Sequence, residues 1–184
     1  MAVDPRPPGD TYARLIDLLD AHRAQYRLID HPPEGRTEIV SAFRGHDPRH
    51  AAKCMVVMVK LGKRTTRYVL AVVPGDARVD LAAVKSLFGA TYVSFASPEI
   101  AEELAGSVPG TILPIPFDPR LELIVDLALL DNPVLYFNAA RLDQSLALRT
   151  DDFVSITAPR LASIAQYASV DGGSSSARMG DPTG

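Results

Sequence analysis

Apolar residues recur along the chain at two periods, and the switches between those periods lay out its elements. Tyr12, Leu15, Ile16, Leu18 and Leu19 fall on one helical stripe, which predicts a helix capped by Asp10 and running through about Gln25. A short strand over Tyr26–Asp30 is expected next, broken by His31-Pro32-Pro33. Thr37 is placed to cap a short helix over residues 38–44 that ends at Gly45, and His46 to His50 read as loop. Ala52–Leu61 and residues 66–73 are dense in Val, Met and Leu and meet across Gly62-Lys63. They predict a long hairpin buried on one or both faces and closed by Pro74-Gly75-Asp76. Asp80 is positioned to cap a helix over Leu81–Phe88 that stops at Gly89, and residues 91–96 form a strand. Ser97-Pro98-Glu99 starts a helix that ends at Gly106. Three apolar runs, Leu121–Asp126, Val134–Asn138 and residues 145–148, predict strands. Pro159 is expected to start a last amphipathic helix to about Tyr167, with Leu161, Ile164 and Ala165 facing inward.

Helices and strands interleave irregularly and two strand pairs are hairpin-like, so the pattern predicts an α+β fold, a mixed sheet with helices packed around it. One domain is expected over residues 10–168. It is preceded by a flexible, proline-rich N-terminus at residues 1–9 and followed by a disordered tail at 169–184, where Gly, Ser, Asp and Pro leave almost nothing to bury.

A length of 184 residues with 47% hydrophobic and 22% charged residues is that of one ordinary globular domain with a core of its own. The net charge of −3 argues against a generic nucleic-acid coat protein but leaves room for a local basic patch. Cys54 is the sole cysteine, so there is no intrachain disulfide and no cysteine-based zinc site, which fits a reducing compartment. The N-terminus lacks the apolar segment of a signal peptide and no window approaches a membrane span, so a cytoplasmic location is expected. Nucleophile-elbow, Walker and Rossmann signatures are all missing.

Chemistry concentrates in a few places. In Ser107-Val108-Pro109-Gly110-Thr111-Ile112-Leu113-Pro114 a glycine stands between two prolines just after a helix end. Backbone this constrained can hold main-chain N–H groups ready for an oxyanion, although many Pro-Gly pairs are plain turns. Lys53 opens an apolar strand and is either a strand-end lysine reaching solvent or a fixed cation for a phosphate or oxyanion. His31 stands at a strand end as a base or hydrogen-bond donor, or as a structural corner residue. Asn138 and Asp143 flank the turn between the last strands, where local Asx bonds are common. Lys60, Lys63, Arg64 and Arg67 cluster at the hairpin tip, either protecting an edge strand or contacting phosphates of a nucleic acid. His46 and His50 bracket Asp47 without a third ligand at convincing spacing, so no metal is expected.

Read in order, several short signatures line up. They are His31-Pro32, Thr37-Glu38, Ala52-Lys53, Pro74-Gly75-Asp76, Val79-Asp80-Leu81, Gly89-Ala90, Phe95-Ala96-Ser97-Pro98-Glu99, Gly106, Gly110-Thr111-Ile112-Leu113-Pro114 and Asp126. Together they resemble the YbaK/prolyl-tRNA synthetase-associated editing domain family over about Tyr26 to Gln166. The resemblance implies a mixed, largely antiparallel, barrel-like β core with helices around it. It also implies a free-standing aminoacyl-tRNA deacylase that hydrolyses the ester of mischarged tRNA carrying a small amino acid such as Ala, Cys or Ser.

By position, Lys53 matches the family's lysine, thought to contact the substrate's terminal phosphate or ribose, and Gly110 matches the glycine of the G-x-x-x-P loop around the scissile ester. Asp143 resembles an aspartate of the YbaK branch and is a candidate general base, the alternative being a hydroxyl of the tRNA itself. Lys53, Gly110 and Asp143 are thus the expected catalytic set. Thr111, Ile112, Leu113, Pro114, His31 and Asn138 form the expected substrate-binding set, and Lys60, Lys63, Arg64 and Arg67 are the expected tRNA contacts. An activated ester needs a positioned water and a stabilised oxyanion rather than a strong nucleophile, and no cofactor is implied. The expected partners are the acceptor end of aminoacyl-tRNA and, further, an aminoacyl-tRNA synthetase.

The chain departs from the family pattern where Pro114 runs into Ile115-Pro116-Phe117, at Cys54, and at Ile29. These positions bear on amino-acid specificity. The Ile115-Pro116-Phe117 segment also motivates an alternative, a non-catalytic module that binds aminoacyl-tRNA or a synthetase, and hydrolysis of another small ester or thioester is a third reading.

Overall fold

The computed structural model describes residues 10–169. The N-terminus expected to be flexible (1–9) and all but the first residue of the expected tail (169–184) lie outside the described residues. The first helix, α1 (Thr11–Ala21), buries Leu15 and Leu19 but stops four residues short of the expected Gln25. The Asp10 side chain makes no cap hydrogen bond; its backbone carbonyl accepts from Arg14 N–H instead. After β1 (Tyr26–Asp30), α2 (Thr37–Arg44) begins one residue earlier than expected, with Arg36 rather than Thr37 at the cap position, and ends at Gly45. Pro48–His50 make a single turn of 3-10 helix inside the expected loop.

The long apolar run folds as the predicted hairpin. β2 (Ala52–Leu61) and β3 (Thr65–Pro74) pair antiparallel over their whole length, from Ala52 opposite Pro74 to Leu61 opposite Thr65. Then come β4 (Arg78–Val79), α3 (Leu81–Phe88), β5 (Tyr92–Phe95) and α4 (Pro98–Ala105). Both helices start where the capping residues predict: the Asp80 carboxylate accepts from the N–H groups of Ala82 and Ala83, and Ser97 Oγ accepts from that of Ile100. The chain continues through β6 (Leu121–Asp126), β7 (Val134–Asn138), β8 (Gln144–Arg149), α5 (Thr150–Thr157), β9 (Arg160–Ala162) and β10 (Ala165–Gln166).

The strands form a five-stranded sheet in the order β5-β2-β3-β6-β9, a three-stranded sheet β1-β8-β7 and a two-stranded ribbon β10-β4. The β3–β6 and β6–β9 pairings are parallel and the others antiparallel, so this is the mixed α+β architecture that the irregular order of elements predicts. Alternation along β2 and β3 divides the large sheet into two buried faces. Val56, Leu70 and Val72 pack with Leu135, Phe137, Leu146 and Leu148 of the small sheet and with α1, α4 and α5. Val57, Val59, Val69, Ala71 and Val73 pack against Val84 of α3 and against Val79 and Ile164. Each of the Val, Leu, Ile and Phe side chains, fully buried, contributes about 1.5–3 kcal/mol of hydrophobic stabilisation.

The expected last helix from Pro159 is replaced by α5, which ends just before it, and by two short strands. Thr150-Asp151-Asp152 opens α5 with acidic residues in the first turn, and Pro159 follows the left-handed Ala158 as a stop signal rather than a start. Beyond it, the buried Asp126 carboxylate accepts from the N–H groups of Ile164 and Ala165 at 2.7 Å each, and Arg160–Ala162 pair with residues 124–126. Helix formation would withdraw those donors. Ile164 does face inward, but Leu161 is exposed.

Candidate active site

Where the start of β2, the inner face of α2 and the end of β7 meet, the fold leaves a cavity of about 190 Å³. Its wall contains Thr37, Val40 and Arg44, which the i, i+3, i+7 spacing sets on one side of α2. It also contains Ala52, Lys53, Cys54 and Met55 of β2, Tyr136, Phe137 and Asn138 of β7, and Gly35, Gly110 and Ile112. Among the described residues no carboxylate is in this wall.

Two extended segments come together at the cavity. The 31–36 segment is tied to the turn before β8, His31 N–H donating to the Asp143 carbonyl and Glu34 N–H to that of Leu142. Gly35 thereby meets Gly110 backbone to backbone. Gly110 has φ +85°, and a Cβ there would sit 2.8 Å from Gly35 Cα and 3.1 Å from its carbonyl oxygen, so both the conformation and the contact demand glycine. Asn138, only 6% exposed, joins the segments: its Nδ2 donates to the carbonyls of Glu34 and Gly110, each at 2.9 Å. Its Oδ1 accepts from Arg44 Nη2 at 2.9 Å and lies 3.0 Å from Ser145 Oγ.

Within the loop, Thr111 is buried, its N–H and hydroxyl both donating to the Val108 carbonyl. That N–H is therefore engaged in the turn, whereas among the described residues no hydrogen bond takes up the N–H of Gly110. Leu113 and Pro114 are buried, and Ile115 joins the main core. Phe117 lies under the Arg14 guanidinium, 4.6 Å from ring centroid to Cζ. The Ile115-Pro116-Phe117 departure thus turns into the core and away from the cavity wall.

Lys53 reaches the cavity from the strand end, its Nζ donating to the Ala77 carbonyl at 3.2 Å. Burial pushes the Cys54 thiol well above the ordinary thiol range, so at neutral pH it is an uncharged part of the wall. His31 sits behind the cavity, its Nε2 2.6 Å from Ser145 Oγ. Arg44, not singled out from the sequence, donates from Nε to Ser145 Oγ at 2.8 Å and from Nη2 to Asn138. Only a lone arginine at a helix end marks it in the sequence, a position read more simply as a complement to the helix dipole.

Other expected site residues lie elsewhere. Asp143 is absent from the cavity wall; its carboxylate is 46% exposed and ion-paired with Arg141 two residues earlier, at 2.9 Å. Lys60, Lys63, Arg64 and Arg67 are all exposed at the hairpin tip, at least six strand residues or about 20 Å from Lys53. Lys60 lies over the Tyr92 ring, and Arg67 approaches Glu122 at 4.0 Å. His46 stacks on Tyr136 at 3.8 Å, and burial lowers its pKa. Among the described residues no three His, Cys, Asp or Glu side chains are grouped to hold a metal, and no helix is long and apolar enough to cross a membrane.

Known proteins resemble this chain in sequence and in fold. The chain is 37% identical over 159 residues to the multifunctional Ser/Thr-tRNA deacylase ProXp-y of Escherichia coli, covering 86% of this chain and 95% of that protein. It is 35% identical over 116 residues to the proline–tRNA ligase of Bacillus licheniformis, covering 63% of this chain but only 18% of the ligase. The crystal structure of a candidate trans-editing enzyme for prolyl tRNA synthetase superposes with a TM-score of 0.71 at 19% identity, over 90% of this chain and 99% of that one. Residues 31–156, which hold the Gly35–Gly110 contact, Lys53, Arg44 and Asn138, match the model of the aminoacyl-tRNA editing domain, and the chain belongs to that family.

Proposed function

We propose that this protein hydrolyses the ester between a small, wrongly attached amino acid and the terminal ribose of tRNA. The observation that carries the reading is the meeting of Lys53 and the Gly110 loop in one small cavity, with Asn138 tying the loop in place. Likeness to a Ser/Thr-tRNA deacylase over most of both chains makes serine and threonine the first amino acids to test, ahead of alanine and cysteine.

In this reading Lys53 supplies fixed positive charge to the terminal phosphate or ribose, and the Gly110 loop lies along the ester. A water attacks the carbonyl carbon, negative charge builds on the carbonyl oxygen, and the intermediate collapses to release the free amino acid and the ribose hydroxyl. Among the described residues the cavity wall holds no carboxylate, which favours a substrate hydroxyl over Asp143 as the group that takes the water's proton. The resemblance to part of a proline–tRNA ligase supports a synthetase as a working partner, in the cytoplasm where charged tRNA is used. The exposed cations of the hairpin tip are available to more distant parts of the tRNA.

The test is deacylation of a panel of mischarged tRNAs by the purified chain, with Lys53→Ala alongside. The expected result is turnover of the seryl and threonyl esters and its loss in the variant, with the fold intact, since a strand-end lysine adds little to stability. Binding of the panel without cleavage by the unaltered protein would replace this reading with that of a binding module.

A further inference from the structure

Arg44 stands in the wall of the same cavity, and its surroundings are those of a cation without a counter-ion. Its two protein partners, Ser145 Oγ and Asn138 Oδ1, are neutral, and both belong to residues at least nine-tenths buried, at 0% and 6% exposure. None of the ion pairs among the described residues includes it. A guanidinium carries five N–H donors, and two are used here. Desolvation lowers its pKa to about 10, which still leaves it charged at neutral pH.

Arg44 itself is half-buried, and even partial withdrawal of a cation from water without an opposite charge is unfavourable, a cost that neutral hydrogen-bond acceptors offset only in part. A purely architectural link between α2 and Asn138 could be made by a neutral amide. The guanidinium is also held in register with the loop: the Asn138 amide that accepts from Arg44 donates to the Gly110 carbonyl, so cation and loop are one side chain apart.

We infer that Arg44 is a second substrate-contacting cation of this cavity, offering its uncommitted N–H groups to a negatively charged substrate oxygen. The inference deepens the deacylase reading and rests on it. Two oxygens have the required chemistry, one on the phosphate of the terminal nucleotide and one forming on the carbonyl carbon as water attacks. Lys53 and Arg44 together then give the site two positive charges, with a planar fork at one of them to fix orientation.

The experiment compares wild type, Arg44→Gln and Arg44→Lys on seryl-tRNA, on 3′-O-seryl adenosine and on its 5′-phosphate, with thermal midpoints as the check on folding. Arg44→Gln keeps neutral donors and removes the charge, and it is expected to lose about 100-fold in single-turnover rate on seryl-tRNA, the scale of deleting one oxyanion donor. Arg44→Lys is expected to recover part of that loss. A loss on both adenosine esters assigns the contact to the ester oxyanion, and a loss confined to the phosphorylated ester assigns it to the phosphate. A folded Arg44→Gln that hydrolyses all three within about threefold of wild type overturns the inference.

Should the variant not fold, wild-type protein answers through the ¹⁵N signals of the Arg44 guanidinium, titrated with a non-hydrolysable adenosine 5′-phosphate carrying a 3′-aminoalkylphosphonate ester, whose tetrahedral anionic oxygen stands where the ester oxyanion forms. A shift on saturation supports the contact and unchanged signals overturn it. Wild-type inactivity on the whole tRNA panel would sink the deacylase reading instead, so the two failures are told apart.

Discussion

Replacing Gly110 with alanine adds one methyl group at the point where two backbones touch. The residue has φ +85°, and a left-handed conformation costs a non-glycine residue about 1–2 kcal/mol. The new Cβ would also lie 2.8 Å from Gly35 Cα and 3.1 Å from Gly35 O, main-chain atoms that cannot swing aside. Relief requires the two segments to part, which stretches the bridge that Asn138 Nδ2 makes to the Glu34 and Gly110 carbonyls, each now at 2.9 Å. Weakening one of those hydrogen bonds adds about 1 kcal/mol. The total of roughly 2–3 kcal/mol corresponds to a fall of about 4–12 °C in Tm for a chain of this size.

Gly89 is the control, because it too has positive φ (+57°) but no atom within 4 Å of a built Cβ. Gly89→Ala should therefore show only the backbone cost, about 1–2 kcal/mol, with deacylation unchanged. Calorimetric Tm and single-turnover hydrolysis of seryl-tRNA read both variants. Gly110→Ala is expected to lose about 100-fold in rate, the usual consequence of misplacing a reacting group by an ångström. Equal Tm losses in the two variants, or a Gly110→Ala protein as active as wild type, would refute the close-contact argument.

Three further outcomes are expected. Asp143→Asn should deacylate within about threefold of wild type, because its carboxylate pairs with Arg141 outside the cavity; a loss of about 100-fold would return it to the reaction. Glu34 is held at about 2, below its ordinary value near 4.5, by hydrogen bonds from the Arg36 side chain and then from its backbone N–H. A lowered folded-state pKa means its contribution to stability is complete above about pH 4.5 and is lost as pH falls toward 2. Urea midpoints measured across that window should flatten in Glu34→Gln, and an unchanged acid limb would contradict the assignment. The raised pKa of Cys54 predicts slow alkylation by iodoacetamide at pH 7.5, read by mass spectrometry, and labelling as fast as a free thiol would show that the cavity wall opens to water.

Elements whose causes are local were legible in the sequence. The β2–β3 hairpin follows from two runs dense in Val, Met and Leu that meet across Gly62-Lys63, and α3 and α4 from Asp80 and Ser97 at their caps. Pro159 was misread because proline serves equally before a helix and after one. The choice was made at a distance, by Asp126 taking the Ile164 and Ala165 N–H groups. In the site, Lys53, Gly110, Ile112 and Asn138 could be named in advance as candidates and do share a cavity. Asp143 could be named too, but a neighbouring Arg141 holds its carboxylate away from that cavity.

The sequence by itself determined the α+β class, most element boundaries and the family, since capping residues, hydrophobic period and short motifs act over a few positions. Tertiary structure decided which polar groups face one another. Arg44 and Asn138 are 94 positions apart, and Asn138 and Gly110 are 28 apart. Their hydrogen bonds exist only because β7 and β8 place Asn138 and Ser145 against α2 and the glycine loop. The direction of a buried polar side chain is set by the partners that packing brings within reach, and no local pattern carries that information.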